Sequence, residues 1–223
     1  MDMEWLTALG TAFMFPAVVT AVIAYFCGCF NGAVIVSKYI LHDDVRTHGS
    51  GNAGLTNFLR TFGGPWTFVV ILCDVLKAVI AILAGAAIAR HLVVDDEATL
   101  VLAKYWAASF CLLGHMFPVM FGFKGGKGIL SGGTIALMLN WKLALLVWGS
   151  FLIPAAVTRY VSLGSVLAAA AFPVGTWLFV SHDPVIMAFA AFLGILVIWM
   201  HRGNIKRLLR GEENRLSFHK KKP

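Results

Sequence analysis

Residues 129–157, ILSGGTIALMLNWKLALLVWGSFLIPAAV, decide how often this chain crosses a membrane. As one helix these 29 residues would extend ~43 Å, well past a ~30 Å hydrocarbon core. Asn140, Trp141 and Lys142 interrupt the run in the middle, so it reads as two elements, 129–139 and 141–157. The first is short for a crossing. Counting it nonetheless fixes the parity of everything around it.

Working outward, apolar runs at Phe13–Ile40, Pro65–Ala89, Thr99–Phe121, Ile129–Leu139, Trp141–Val157, Val161–Phe179 and Pro184–Met200 are the candidate spans. The bulk composition agrees: 59% of the 223 residues are hydrophobic, 13% are charged and mean hydropathy is +0.81, against about 25% charged in soluble domains. The expected fold is all-α and polytopic, a single domain over 1–223 with seven transmembrane helices. The start, MDMEWL, is acidic, so the first apolar run lacks the basic leader of a cleavable signal and is expected to persist as a helix. Cys27, Cys29, Cys73 and Cys111 all fall in apolar runs, where thiols behave as small hydrophobes.

Seven spans place Arg46, Arg60, Lys124, Lys127, Arg159 and the tail on one side, and Arg90, Lys104 and Lys142 on the other. The tail carries Arg202, Lys206, Arg207, Arg210, Arg215, Lys220, Lys221 and Lys222. The positive-inside rule then puts the C-terminus in the cytoplasm and the N-terminus outside. A net charge of +7 raises the question of nucleic acid, but these cations flank apolar spans and form no aromatic-interleaved reading surface. Nucleic acid is not an expected partner; membrane lipid is.

Chemistry gathers in the connections of the basic side. HGSGNAGLTNFLRTFGG, 48–64, combines Gly49, Gly51, Gly54, Gly63 and Gly64 with Ser50, Asn52, Thr56, Asn57 and Arg60. Glycine lets backbone amides approach an anion, Ser and Asn add neutral donors, and Arg offers a two-pronged cation. The alternative is a turn-rich loop with a solvated arginine. GHMFPVMFGFKGGKG, 114–128, repeats the pairing with Lys124, Gly125, Gly126, Lys127 and Gly128 ahead of a helix start whose dipole favours anions. It is not a Walker A loop, because Phe121 and Gly128 stand where glycine and a hydroxyl residue are required.

Further along, TRYVSLGS brings Arg159, Tyr160, Ser162 and Ser165, which either border a pocket or anchor helix ends. In HRGNIKRLLRGEE, His201 and Asn204 lie at i, i+3 on one face; His201 is a proton carrier or an interfacial hydrogen-bonding residue. Asp74 and Lys77, also i, i+3, sit inside the second span and read as a structural ion pair, with a substrate-path role as the sharper alternative. His91 and Asp96 have an HxxxxD spacing, read as chance on the opposite face. No metal-ligand cluster is expected; His42, Asp43 and Asp44 read as a polar helix end.

These motifs, GSGNAGLTNFLR, GHMFPVMFGFKGGKG, TRYVSLGS and HRGNIKRLLRGEE, in order and over nearly the whole chain, resemble the bacterial acyl-phosphate:glycerol-3-phosphate acyltransferase family, PlsY. The resemblance implies transfer of a fatty acyl group from acyl phosphate to the 1-hydroxyl of sn-glycerol 3-phosphate, with no cofactor and with acyl phosphate rather than acyl-CoA as donor. It assigns essential roles to Ser50 and Arg60, glycerol-phosphate binding to the glycines of 125–128, activity-supporting roles to His201 and Asn204, and structural integrity to Glu212. Gly49, Gly51, Asn52, Asn57, Lys124, Lys127, Arg159 and Ser162 complete the expected binding set. Leu55 and Gly203 depart from the pattern where members carry small or polar residues. No Ser-His-Asp order appears in the basic-side connections, so direct attack without an acyl-enzyme is the expected route. The competing class is a transporter for a phosphorylated solute.

Overall fold

The computed structural model describes residues 3–93 and 95–216, and among these every regular element is helical. Lys220, Lys221 and Lys222, part of the expected tail charge, and the first two residues of MDMEWL lie outside the described residues. The chain forms two compact units, Met1–Leu139 and Asn140–Pro223.

In the first unit, α1 (Met3–Cys29), α4 (Trp66–Leu92) and α5 (Glu97–Met116) pack on one another, and α6 (Ile129–Leu139) lies against α4 and α5. Two short helices, α2 (Gly32–Ile35) and α3 (Leu55–Thr61), lie between α1 and α4. Glycine makes the α1–α5 crossing close: a Cβ at Gly28 would run into the Cys111 carbonyl, and one at Gly114 into the Tyr25 carbonyl. Such small-residue contacts matter in lipid, where apolar side chains gain little from leaving their solvent. The Tyr25 hydroxyl adds a 2.8 Å hydrogen bond to Phe117 O just past α5. In the second unit, α8 (Val161–Phe179) packs on both α7 (Trp141–Thr158) and α9 (Pro184–Met200), and α10 (Arg202–Leu209) leaves α9 at 58°.

The interruption at 140–142 is a helix boundary. The Asn140 side chain caps α7, accepting from Lys142 N at 2.8 Å and Leu143 N at 3.3 Å, and donates to Phe179 O at 3.1 Å. This satisfies amides a helix start leaves without partners.

Among the described residues four helices are long and apolar enough to cross a membrane, or up to six if each of two bent pairs counts once. The chain is a multi-pass membrane protein. The fourth expected span, α6, has 11 residues and so is ~16 Å long, about half a hydrocarbon core. Two expected spans also end differently. Phe13–Ile40 is not continuous: it bends by 42° at 30–31, where Asn31 caps α2 through a 3.1 Å bond from Val34 N, and the chain goes on as a π turn, Val36–Ile40. Thr99–Phe121 stops as an α-helix at Met116, since Pro118 cannot continue the ladder, and a 3-10 turn, Val119–Phe121, follows.

Candidate active site

The first glycine-rich loop is built around one amide. Asn57, fully packed on α3, donates from Nδ2 to the carbonyls of Val45 (3.0 Å), His48 (3.0 Å) and Asn52 (3.1 Å), and its Oδ1 accepts from Ser50 N at 3.1 Å. Asn57, expected to bind substrate, therefore has its polar atoms committed to holding the loop. Beneath it lies an apolar floor of Ala33, Val36, Val45, Phe58 and Val70. Gly49 and Gly51 take φ of +55° and +68°, Asn52 is half-buried, and Ser50 and Arg60 are exposed. Asn31, which sequence reading missed, clasps the loop from α2 by a 3.0 Å bond to Ala53 O.

Arg46 joins this loop to the second one. Its Nε and Nη2 grip Asp44 at 3.0 and 2.7 Å, while Nη1 donates to Phe121 O at 2.7 Å and to Lys124 O at 3.4 Å. The Arg46 hydrogen bonds outweigh partial burial and hold the Asp44 carboxyl below the usual range. Asp43, paired with His48 at 2.7 Å, and Asp44 are thus loop braces, in keeping with the expected polar helix end.

The GGKG segment of the second loop folds back onto α5. Gly125 N donates to Met116 O and Gly126 N to His115 O, each at 3.1 Å. Those two amides are therefore occupied, which leaves Lys124, Lys127 and Gly128 of this segment for any phosphate contact. Lys124 is exposed, Lys127 half-buried. Gly126 is where the loops touch: a Cβ there would stand 2.8 Å from Ala53 O and against the His115 ring.

Under this seam lies the ion pair of the second span. Lys77 Nζ sits 2.6 Å from Asp74 Oδ1 and 2.6 Å from His115 Nδ1, all three side chains being buried. The pairing is as expected. Its extension to His115 was not foreseen, although His115 lies within the quoted motif.

In the second unit the expected residues gather around one carboxylate. Glu213 Oε1 accepts from Asn204 Nδ2 at 2.7 Å and from Ser162 Oγ at 3.0 Å, and Oε2 accepts from Arg207 Nε at 2.8 Å. The structural role expected of Glu212 thus belongs to its neighbour: Glu212 is exposed and makes only a backbone bond, to Arg207 O at 2.8 Å. Arg159 is exposed, ends α7 with φ +63° and accepts at its carbonyl from Leu216 N at 2.7 Å. His201 is buried at the α9–α10 bend, with Nδ1 2.8 Å from Val197 O. A carbonyl only accepts, so Nδ1 carries the proton and Nε2 is the ring atom whose protonation can change. On the remaining connection Asp96 caps α5 through Thr99 N at 3.0 Å, which accounts for it without chemistry.

Burial disfavours the Glu213 carboxylate, yet the Asn204, Ser162 and Arg207 hydrogen bonds hold its pKa below the usual value. Its stabilisation is therefore complete above the ordinary carboxylate pKa of about 4.3 and is lost as pH falls through the lower folded value. Glu213→Gln is expected to lower the thermal midpoint at neutral pH, the difference from wild type shrinking below about pH 4. Glu212→Gln should match wild type throughout; thermal scans between acid and neutral pH check both.

The glycerol-3-phosphate acyltransferase family profile matches residues 18–211. A protein of Clostridioides difficile (strain 630) named glycerol-3-phosphate acyltransferase is 38% identical over 207 residues, 93% of this chain and 98% of that one. One of the same name from Shewanella halifaxensis (strain HAW-EB4) is 39% identical over 203 residues, covering 91% and 96%. The crystal structure of PlsY, an integral membrane glycerol 3-phosphate acyltransferase, in its glycerol 3-phosphate form superposes with a TM-score of 0.77 at 32% identity, covering 90% of this chain and 96% of that one. Its lysophosphatidic acid form gives 0.72 at 34% identity, covering 90% and 95%.

Proposed function

Since the chain belongs to the glycerol-3-phosphate acyltransferase family, we propose that it transfers a fatty acyl group from acyl phosphate to the 1-hydroxyl of sn-glycerol 3-phosphate. The products are 1-acyl-sn-glycerol 3-phosphate and inorganic phosphate, the first acylation of bacterial phospholipid synthesis. The observation that carries this reading is the seam of two glycine-rich loops, fastened by Arg46 and meeting at Gly126, with Ser50, Arg60 and Lys124 exposed around it.

In this mechanism the substrate hydroxyl attacks the acyl carbonyl carbon, the bond from that carbon to the phosphate oxygen breaks, and phosphate departs with the electron pair. The hydroxyl proton goes to a substrate phosphate oxygen, with His201 the other candidate base by its motif. No protein nucleophile is needed, because phosphate is already a good leaving group. Arg60, Lys124 and Lys127 neutralise the substrates' charge and offset what develops in the transition state, where one preorganised donor is worth ~3 kcal/mol. Ser50 orients a phosphate through its hydroxyl, and Gly49, Gly51, Asn52 and Gly128 shape the cradle. Ser162 and Asn204 act by holding Glu213.

We place the enzyme in the bacterial cytoplasmic membrane as one functional domain, N-terminus outside, with α6 as the short fourth of seven crossings and both loops on the cytoplasmic face. Arg202, Lys206, Arg207 and Arg210 around α10 support that side, and Arg202, stacked 4.2 Å over the Trp199 ring, marks the boundary. Single cysteines in a cysteine-free protein test it: Lys142→Cys is expected to react with an impermeant thiol reagent on intact cells, and Lys206→Cys only after permeabilisation.

The functional test is direct. Detergent-purified protein given acyl phosphate and glycerol 3-phosphate should release phosphate and lysophosphatidic acid in equal amounts. Solute uptake into sealed vesicles with no acylation would instead establish a transporter.

A further inference from the structure

The buried triad of Asp74, Lys77 and His115 lies directly beneath the loop seam, and nothing in the acylation scheme uses it. Its geometry fixes the state of the histidine. Lys77 Nζ lies 2.6 Å from both Asp74 Oδ1 and His115 Nδ1, and an ammonium has donors but no acceptor. Nδ1 must therefore accept, the imidazole is neutral, and the ring proton sits on Nε2. The Nε2–Cε1 edge is the part of the ring that a side chain at Gly126 would strike. His115 also supplies the carbonyl that receives Gly126 N at 3.1 Å. Gly126 is thus held by one residue from two directions, with Ala53 O of the other loop on its remaining side. Ala53 O is itself fixed by Asn31 Nδ2 at 3.0 Å.

We propose that Asp74 and Lys77 lock the His115 imidazole edge-on against Gly126, so that the ring props the GGKG loop against the first glycine-rich loop for glycerol 3-phosphate binding. This rests on the functional reading above. His115 is a positioning residue: it acts on the cradle rather than on reacting atoms. An ion pair in the apolar interior is expensive, and burial alone does not explain why its ammonium is shared with a histidine that faces the loops. The lock supplies a reason, as supporting hydrogen bonds commonly set the tautomer and orientation of a functional imidazole.

Two amide substitutions separate the link to Lys77 from the reach of the ring. His115→Asn keeps an acceptor near Nδ1 for Lys77 and withdraws the outer edge, whereas His115→Gln carries an amide out to the Nε2 position against Gly126. For His115→Asn the KM for glycerol 3-phosphate is expected to rise more than about tenfold with a smaller fall in kcat, while His115→Gln stays within about threefold of wild type. Calorimetric titration of glycerol 3-phosphate into the detergent-purified proteins should show the same order of affinities, whether or not turnover is measured. Equal KM and affinity in wild type and His115→Asn would overturn the lock and leave the acyltransferase reading intact. So would parallel loss in both variants with lowered thermal midpoints, because the ring would then serve the fold as a whole and not the loop. Absent turnover in wild type with glycerol 3-phosphate binding ordered as expected would instead overturn the donor and reaction while the lock stands.

Discussion

Gly126→Ala is expected to lose at least ~100-fold in the initial rate of lysophosphatidic acid formation, while Gly132→Ala, six residues on, retains wild-type activity. Both glycines belong to the same segment, and the difference is in what a methyl group would meet. At 126 it would stand 2.8 Å from Ala53 O and against the His115 ring. Neither neighbour yields easily, since Ala53 O holds Asn31 and His115 is tied to Lys77. The GGKG loop must then lift away from the other loop, and a displacement near 1 Å costs about a hundredfold in a positioned reaction. At 132, inside α6, no atom beyond its own helical turn lies within 4 Å of the added carbon, and alanine improves helix propensity by up to ~1 kcal/mol. Initial rates with both substrates saturating, alongside thermal midpoints, check the contrast. Wild-type rates for Gly126→Ala would show that the loops do not need their contact.

Asp74→Ala is expected to be the most destabilising of the single substitutions considered. Lys77, 4% exposed, would keep its charge without a counterion, and breaking a buried pair from one side costs about 3–5 kcal/mol. Removing both charges, as in Asp74→Leu with Lys77→Met, should recover most of that loss, because an apolar pair of similar volume fits the interior at little cost. Stability and function then part company: the double variant leaves His115 without its donor, so the KM for glycerol 3-phosphate stays raised. Unfolding curves in one detergent for wild type, single and double variants provide the measurement. Equal destabilisation of single and double variants would mean the two charges are not coupled.

Much of the helical plan was legible because lipid makes hydropathy a strong signal. The stop at Asn140 was read correctly, since Asn followed by Trp and Lys in an apolar run has the chemistry of a cap. The break at Asn31 was not, although Asn31–Gly32 is a breaker dipeptide; one polar residue within a long apolar run has little weight in a hydropathy window. Phe117–Pro118 likewise signalled the end of α5 before the run of apolar side chains ended. At the site, residue types set up the expectation of an anion-binding surface, but not how their hydrogen bonds are shared out. Asn57 and Ser162 are the kinds of residue that bind substrates, and both are spent on the fold. Arg46 and Asn31 became visible only when Phe121 O, Lys124 O and Ala53 O arrived from far along the chain. Glu212 and Glu213 are chemically identical, and only the turn after α10 decides which faces Asn204.

The crossing of α1 and α5 at Gly28 and Gly114 puts backbone against backbone one residue before His115. A contact of that kind has no rotamers to shuffle and no side chain to lean aside, so the end of α5 is stiff and the loop it carries inherits that stiffness. On the proposed function, the ordering entropy of the cradle is then surrendered when the protein folds and not again at each turnover, so that an eleven-residue helix and a handful of glycines would serve as a rigid mould for a small, highly charged substrate.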